Sequence, residues 1–330
     1  MNISMIAERA GVSKSSVSNY LNNKNGKLSA ETADRIAKVI QESNYIPSFG
    51  ARRLKSLKPS KTIGIVIKDT LLQSMFSIPF YGLMMKGIGS ILDKAGYNAI
   101  IIPANDNDSS KYINYLKDLS RGLVDGYLLF NIHVEDKYVK EFSQLGIPFI
   151  CMGNMFNENL QNYVGTDYQT GAKYATRYLL TQGSKNIAIS IGIPESIVSK
   201  QLFDGFTEEM KNAGVPIDEN LVIKGKSDMD ESIFDELLTL FQQPTRPDGV
   251  LLPERHFYDL VEVSKVLGFD LFKDLNIVLY SYYFRMVDMA FSYLDIPYEE
   301  VGVAAATNLL NLLNGKTIQP ILFKPRLVMR

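Results

Sequence analysis

Residues 11–22 read GVSKSSVSNYLN, which places four serines, a lysine and two asparagines within twelve positions. Serine is a mediocre helix former, so the stretch suits no purely structural helix. It suits a short helix whose outer face lies close to a flat, hydrogen-bonding surface. At about 100° per residue, Val17, Tyr20 and Leu21 share one face, and Ser15, Ser18, Asn19 and Asn22 fall on the other. Ser13 stands where a helix N-cap would.

Other chemistry is sparse. His133 and His256 are far apart in sequence and Cys151 is the one cysteine, so no cluster of metal ligands forms. Cys151 sits in the apolar run PFICMGN and is expected to pack in a core. No G-x-S-x-G, P-loop or G-x-G-x-x-G occurs, and the glycines of KGIGS fall inside a predicted helix. An enzyme is not expected, and neither a metal nor a cofactor is implied. With 330 residues, 46% hydrophobic and 22% charged, the composition is that of a globular protein of two or three packed units. A single cysteine, no signal-type N-terminus and no apolar run of about 18 residues point to the cytoplasm.

The net charge of -1 is unevenly spread. Residues 1–60 hold ten basic and four acidic side chains, a balance of +6 that leaves -7 for the remainder. A basic head on an acidic body suggests a polyanionic partner for the head.

Three short helices are predicted in that head. Ile3, Ile6, Ala7 and Ala10 form one apolar face after a capping Asn2, and Gly11 ends the helix. The serine-rich helix follows. A third, from Ser29 to about Ser43, turns Ala33, Ile36, Ala37 and Ile40 inward. Helix, glycine turn, short helix is the helix-turn-helix arrangement, whose second helix enters the major groove of DNA. A small three-helix bundle without a nucleic-acid partner has the same pattern.

The longer run IAERAGVSKSSVSNYLN resembles the head of the LacI/GalR family of bacterial transcription regulators, which reads roughly A-x-x-A-G-V-S-x-x-T-V-S-x-x-L-N. Ala7, Ala10, Gly11, Val12, Ser13, Val17, Ser18, Leu21 and Asn22 match, and Ser16 replaces threonine. LSAETADRIAKVIQESNYIPSFGARRLKS resembles the family's third helix, N-Y-x-P turn and hinge segment. By position the resemblance assigns base-edge contacts to Lys14, Ser15, Ser18 and Asn19. Asparagine can pair with N7 and N6 of adenine, worth roughly 1–3 kcal/mol of discrimination. Asn2, Ser13, Ser16, Lys24 and Arg35 are assigned to phosphates, which position without specifying sequence. The resemblance also implies a hinge helix around Ser48–Lys55, with Leu54 as an apolar wedge in the minor groove beside Arg52 and Arg53. Phe49 and Gly50 depart from that pattern, and Gly50 should weaken the helix by roughly 1 kcal/mol relative to alanine.

From Lys61 onward short apolar runs alternate with helix-length stretches. Strands are predicted at 62–67, 98–104, 125–130, 148–153, 186–192, 221–225, 249–253 and 276–282. This alternation argues for parallel sheets covered on both faces, and the number of units for two lobes. Ligands of such sheets bind at the carboxyl ends of the strands. A body of this kind alone would also suit a periplasmic-type binding protein without a regulatory role; the head argues against that.

The family resemblance continues through the body to the terminal FKPRLVMR. It implies an all-α helix-turn-helix head plus an α/β two-lobed, periplasmic-binding-protein-like body with parallel sheets. The expected divisions are 1–47 for the DNA-binding domain and 48–60 for hinge helix and linker. The first lobe is expected to take 61–161 and 292–320, the second 162–291 and 321–330. The implied function is that of a homodimeric repressor of carbon-metabolism genes. It would bind a pseudo-palindromic, double-stranded operator, with affinity modulated by a small molecule.

The effector positions depart from the sugar-responsive pattern. Leu202 stands for an arginine, Ser227 for an aromatic residue, Glu254-Arg255 for N-D, and Ser281 for an aspartate. Asp69, Asn131, Asn154, Glu254, Arg255, Tyr280 and Ser281 are the candidate contacts. Three readings stay open: a different small molecule such as a charged metabolite, a sugar derivative in an altered pose, or loss of small-molecule sensing, with a protein co-regulator or no ligand in its place. Leu71–Phe76 are additional to the family pattern and are candidates for a lid or an added contact.

Overall fold

The computed structural model describes residues 3–21, 28–43, 59–68, 79–104, 109–120, 122–130, 137–153, 162–192, 194, 196–225, 232–280 and 291–330. The chain divides into two compact units, a head ending at Ser60 and a body beginning at Lys61.

The head comprises α1 (Ile3–Ala10), α2 (Lys14–Leu21) and α3 (Ala30–Glu42). Ile6, Ala7, Ala10, Val17 and Ile36 are buried where the three helices meet, with Ile3, Tyr20, Leu21, Val39 and Ile40 packed around them. Gly11 turns the chain between α1 and α2 at φ +61°, a left-handed conformation that glycine adopts without penalty. The Ser29 hydroxyl caps α3, accepting from the amide of Thr32 at 3.2 Å. The predicted helices and their inner faces are thus present.

The body runs β1 (Thr62–Lys68), α4 (Pro79–Lys94), β2 (Asn98–Ala104), α5 (Ser109–Ser120), β3 (Gly126–Phe130), α6 (Lys137–Leu145), β4 (Phe149–Met152) and β5 (Tyr163–Thr166). It continues with α7 (Tyr168–Thr181), β6 (Ile187–Gly192), α8 (Ile197–Asn212), β7 (Val222–Lys224), α9 (Phe234–Phe241), β8 (Gly249–Pro253), α10 (Phe257–Leu267), α11 (Leu271–Asp274) and β9 (Asn276–Tyr280). It closes with β10 (Ser292–Asp295), α12 (Tyr298–Leu313), β11 (Ile321–Phe323) and β12 (Arg326–Val328).

Two six-stranded sheets result, ordered β11-β5-β4-β3-β1-β2 and β12-β10-β9-β8-β6-β7. The first is parallel throughout; in the second only β12 runs antiparallel, against β10. Helices cover both faces, so alternate residues of one strand enter different cores. Ile63, Ile65 and Ile67 join the main apolar cluster, while Val66 lies in a second one with Tyr127 and Leu129. Cys151 is fully buried in that second cluster, as its apolar context predicts.

The lobe boundaries differ from expectation. β5 pairs with β4 and β11 in the first sheet, and β10 pairs with β9 in the second. The crossings therefore lie a few residues later than 161/162, 291/292 and 320/321, because each crossing segment first extends the ladder of the sheet it leaves. The crossings are tied to one another. The Asp167 amide donates to the Phe323 carbonyl at 2.8 Å, and the Tyr168 and Tyr298 hydroxyls meet at 3.4 Å.

Both lobes use helix pairs in main-chain contact. A Cβ on Gly87 of α4 would run into the Glu299 carbonyl and lie 2.9 Å from the Val303 amide of α12; one on Gly302 would run into the Met84 carbonyl. In the second lobe a Cβ on Gly205 of α8 would collide with the Gln169 carbonyl of α7. That pair is also joined by Arg177, whose Nε and Nη2 donate to the Glu209 carboxylate at 2.9 and 2.7 Å.

Gly87→Ala should destabilise the body by about 1–3 kcal/mol, since only backbone movement relieves the clash. Gly89→Ala, with nothing within 4 Å of the new Cβ, should be neutral or stabilising by up to about 1 kcal/mol. Urea unfolding of the two variants checks the contrast. The Arg177 hydrogen bonds hold the Glu209 carboxyl below the ordinary carboxylate range, with burial opposing them. A folded value below the unfolded one makes the pair's contribution complete above that range and lost as pH falls through the folded value. Glu209→Gln should therefore flatten the acid limb of a stability-against-pH curve.

Candidate nucleic-acid interface and ligand site

α2 is held by its own serines. The Ser16 amide donates to Ser13 Oγ at 3.1 Å, and that hydroxyl also meets Ser15 Oγ at 2.7 Å and Ser16 Oγ at 2.9 Å. The cap satisfies an otherwise open first-turn amide. Val17 anchors the helix from its fully buried inner face. Lys14 and Ser15 are exposed, while Ser18 and Asn19 are half-buried at the rim of the same outer surface. Arg35 of α3 is exposed and reaches the α1–α2 turn: a Cβ on Gly11 would lie 3.9 Å from its Nη1. Lys14, Ser15, Ser18, Asn19 and the Ser13, Ser16 and Arg35 set are thus grouped on and beside one short helix. Asn2, Lys24, Arg52, Arg53 and Leu54 lie outside the described residues.

In the body, polar groups gather at the carboxyl ends of the second sheet. β8 leads directly into a 3-10 turn, Glu254–His256. Arg255 is exposed, Glu254 is half-buried and His256 is buried. The Arg255 Nε donates to His256 Nε2 at 3.2 Å. His256 Nδ1 lies 3.4 Å from Ser190 Oγ of β6. The Tyr280 hydroxyl, at the end of β9, donates to the Ser190 carbonyl at 2.7 Å. Burial pushes the Tyr280 phenol well above its ordinary range, the nearby Arg255 charge opposing. Tyr280 is therefore a buried brace whose hydroxyl is already committed.

Three neighbouring strand ends are linked in this way. Sequence reasoning named Glu254, Arg255 and Tyr280 but missed His256 and Ser190. The signals were a histidine adjoining a charged pair, and a lone serine in the apolar run IAISIG. Leu202, where the sugar-responsive pattern has arginine, is fully buried in the main core and offers no polar grip. Asp69, Asn131, Asn154, Ser227, Ser281 and Leu71–Phe76 lie outside the described residues. Among the described residues no group of His, Cys, Asp and Glu is placed to hold a metal, and no helix is long and apolar enough to cross a membrane.

Residues 2–48 match the family described as bacterial regulatory proteins, lacI family. Residues 60–251 match periplasmic binding proteins and the sugar binding domain of the LacI family, and residues 176–330 a periplasmic binding protein-like domain. The chain belongs to the LacI family. It is a DNA-binding transcriptional regulator with a sugar-binding-type body.

Among its LacI-family relatives, the transcriptional regulator CelR of Thermobifida fusca is 24% identical over 97% of this chain and 94% of its own. Catabolite control protein A of Staphylococcus xylosus is 25% identical over 95% and 92%. The fold is similar to that of a chain in a structure of the Lac repressor dimer bound to operator, with a TM-score of 0.77 at 17% identity over 98% of this chain and 96% of that one. A CelR–cellobiose complex gives 0.69 at 23% identity over 100% and 99%.

Proposed function

We propose that this LacI-family protein is a homodimeric, sequence-specific repressor of carbon-metabolism genes, acting in the cytoplasm, with no enzymatic activity of its own. Two heads would place α2 in successive major grooves of a pseudo-palindromic operator. Leu54, with Arg52 and Arg53, would enter the central minor groove. A small molecule at the carboxyl ends of the body's strands would modulate affinity.

The observation that carries the DNA reading is α2 itself, a serine-capped helix with an apolar anchor inside and Lys14, Ser15, Ser18 and Asn19 along its outer surface. The dimer reading is supported by edge strand β2, which leaves Ile100 and Ile101 at 38% and 45% exposure. On α10, Tyr258 is 78% exposed. Apolar side chains grouped at an open sheet edge are characteristic of surfaces covered by a partner.

Operator selection with the full chain, followed by competition binding, tests the first reading. Asn19→Ala should relax preference at one base pair in each half-site, by roughly 1–3 kcal/mol. A uniform loss on every sequence would remove Asn19 from base recognition. In the same titrations, neutralising about 6–10 phosphates should give a log–log salt slope near -0.9 per contact. Ile101→Asp should shift the protein from dimer to monomer in light scattering, with operator affinity falling alongside. A variant that stays dimeric would move the interface elsewhere.

A further inference from the structure

The proposed ligand site has a charge character that can be read from Arg255. Its Nε–H points at His256 Nε2, 3.2 Å away. A guanidinium is only a donor, so that ring nitrogen carries the lone pair and the ring proton sits on Nδ1, facing Ser190 Oγ. Ser190 is itself on β6, and its carbonyl receives the Tyr280 hydroxyl. His256, Ser190 and Tyr280 are all buried, so the chain of contacts is shielded from water. The guanidinium is therefore oriented through Nε, while no described residue engages its two Nη groups. Among the described residues no carboxylate pairs with it. Arg255 also remains exposed, at the end of central strand β8.

An oriented guanidinium with both Nη groups presented matches the two oxygens of a phosphate or carboxylate, in a bidentate, charge-assisted contact. A neutral polyol is gripped instead by acceptors for its hydroxyls. The one described carboxylate in this turn is Glu254, and Leu202, fully buried in the main core, supplies no acceptor. We propose that the effector carries an oxyanion, a phosphate or a carboxylate, which Arg255 binds through its Nη groups, with His256 and Ser190 as positioning residues. This rests on the reading that the body binds a small molecule at the carboxyl ends of its strands.

Thermal unfolding of the full chain tests it at constant ionic strength. The probes are glucose, glucose 6-phosphate and glucuronate, together with the neutral and anion-exchange-retained fractions of a bacterial small-molecule extract. An anionic probe or the retained fraction should raise Tm by about 5–10 °C near saturation, and neutral probes should not. Response to phosphatase-treated and untreated retained fractions separates phosphate from carboxylate as the source. Arg255→Gln should weaken the anionic response at least tenfold. His256→Phe should reduce the ratio of anionic to neutral response, and His256→Gln, whose amide oxygen can accept from Nε, should restore it. Stabilisation by neutral probes alone, or an undiminished anionic response in Arg255→Gln, overturns the oxyanion assignment and leaves the small-molecule reading standing. No response to either fraction overturns the small-molecule reading, and the oxyanion with it.

Discussion

The first lobe of the body is closed by main chain against main chain: the backbones of α4 and α12 touch at Gly87 and Gly302. α12 follows the second crossing between the sheets, and it must lie close against the first sheet for that crossing to close. Its buried face carries Val301, Ala305, Ala306 and Leu309, small and medium residues that let the helix approach. The glycines take the same logic to its limit. With α12 seated, Tyr298 at its start meets Tyr168 at the start of α7 and stacks on Phe80 at a ring separation of 5.1 Å. The crossings are thereby joined to the same helices that cover the sheets.

The head solves a different problem with less material. Among the described residues, five of its apolar side chains are buried in the shared core, and two of them are alanines. Each large one contributes about 1.5–3 kcal/mol, so local hydrogen bonds carry proportionately more weight than they do in the body. Ser13 and Ser29 close the first turns of α2 and α3. The serine content of α2, poor by helix propensity, both caps the helix and keeps its outer surface low and polar.

Much of this was legible in the sequence. The three helices of the head followed from apolar spacing and from Gly11, Ser13 and Ser29. All eight strands predicted in the body exist, because fully buried parallel strands read as continuous apolar runs. β5, β10, β11 and β12 were not individually legible. They are three or four residues long, and YVGT, SYLD, ILF and RLV carry no run long enough to distinguish strand from loop. Their pairing is set by the sheets they extend, which is tertiary information. At the candidate ligand site, Glu254 and Arg255 stood out as charges after an apolar strand. The roles of His256 and Ser190 depend on two strand ends far apart in sequence meeting side by side, and no local pattern encodes that.

The burial of Cys151 has a practical side. Sealed in β4 with no solvent exposure, it is shielded from thiol reagents, and the sequence contains no tryptophan. The native molecule is therefore spectroscopically quiet in both the channels most used for reporters. A cysteine installed at the exposed Tyr258 position would be the one accessible thiol for a dye or spin label, and a single indole installed near Arg255 would fluoresce without background from any other. Events at the strand ends could then be followed in solution on a chain with every other native residue in place.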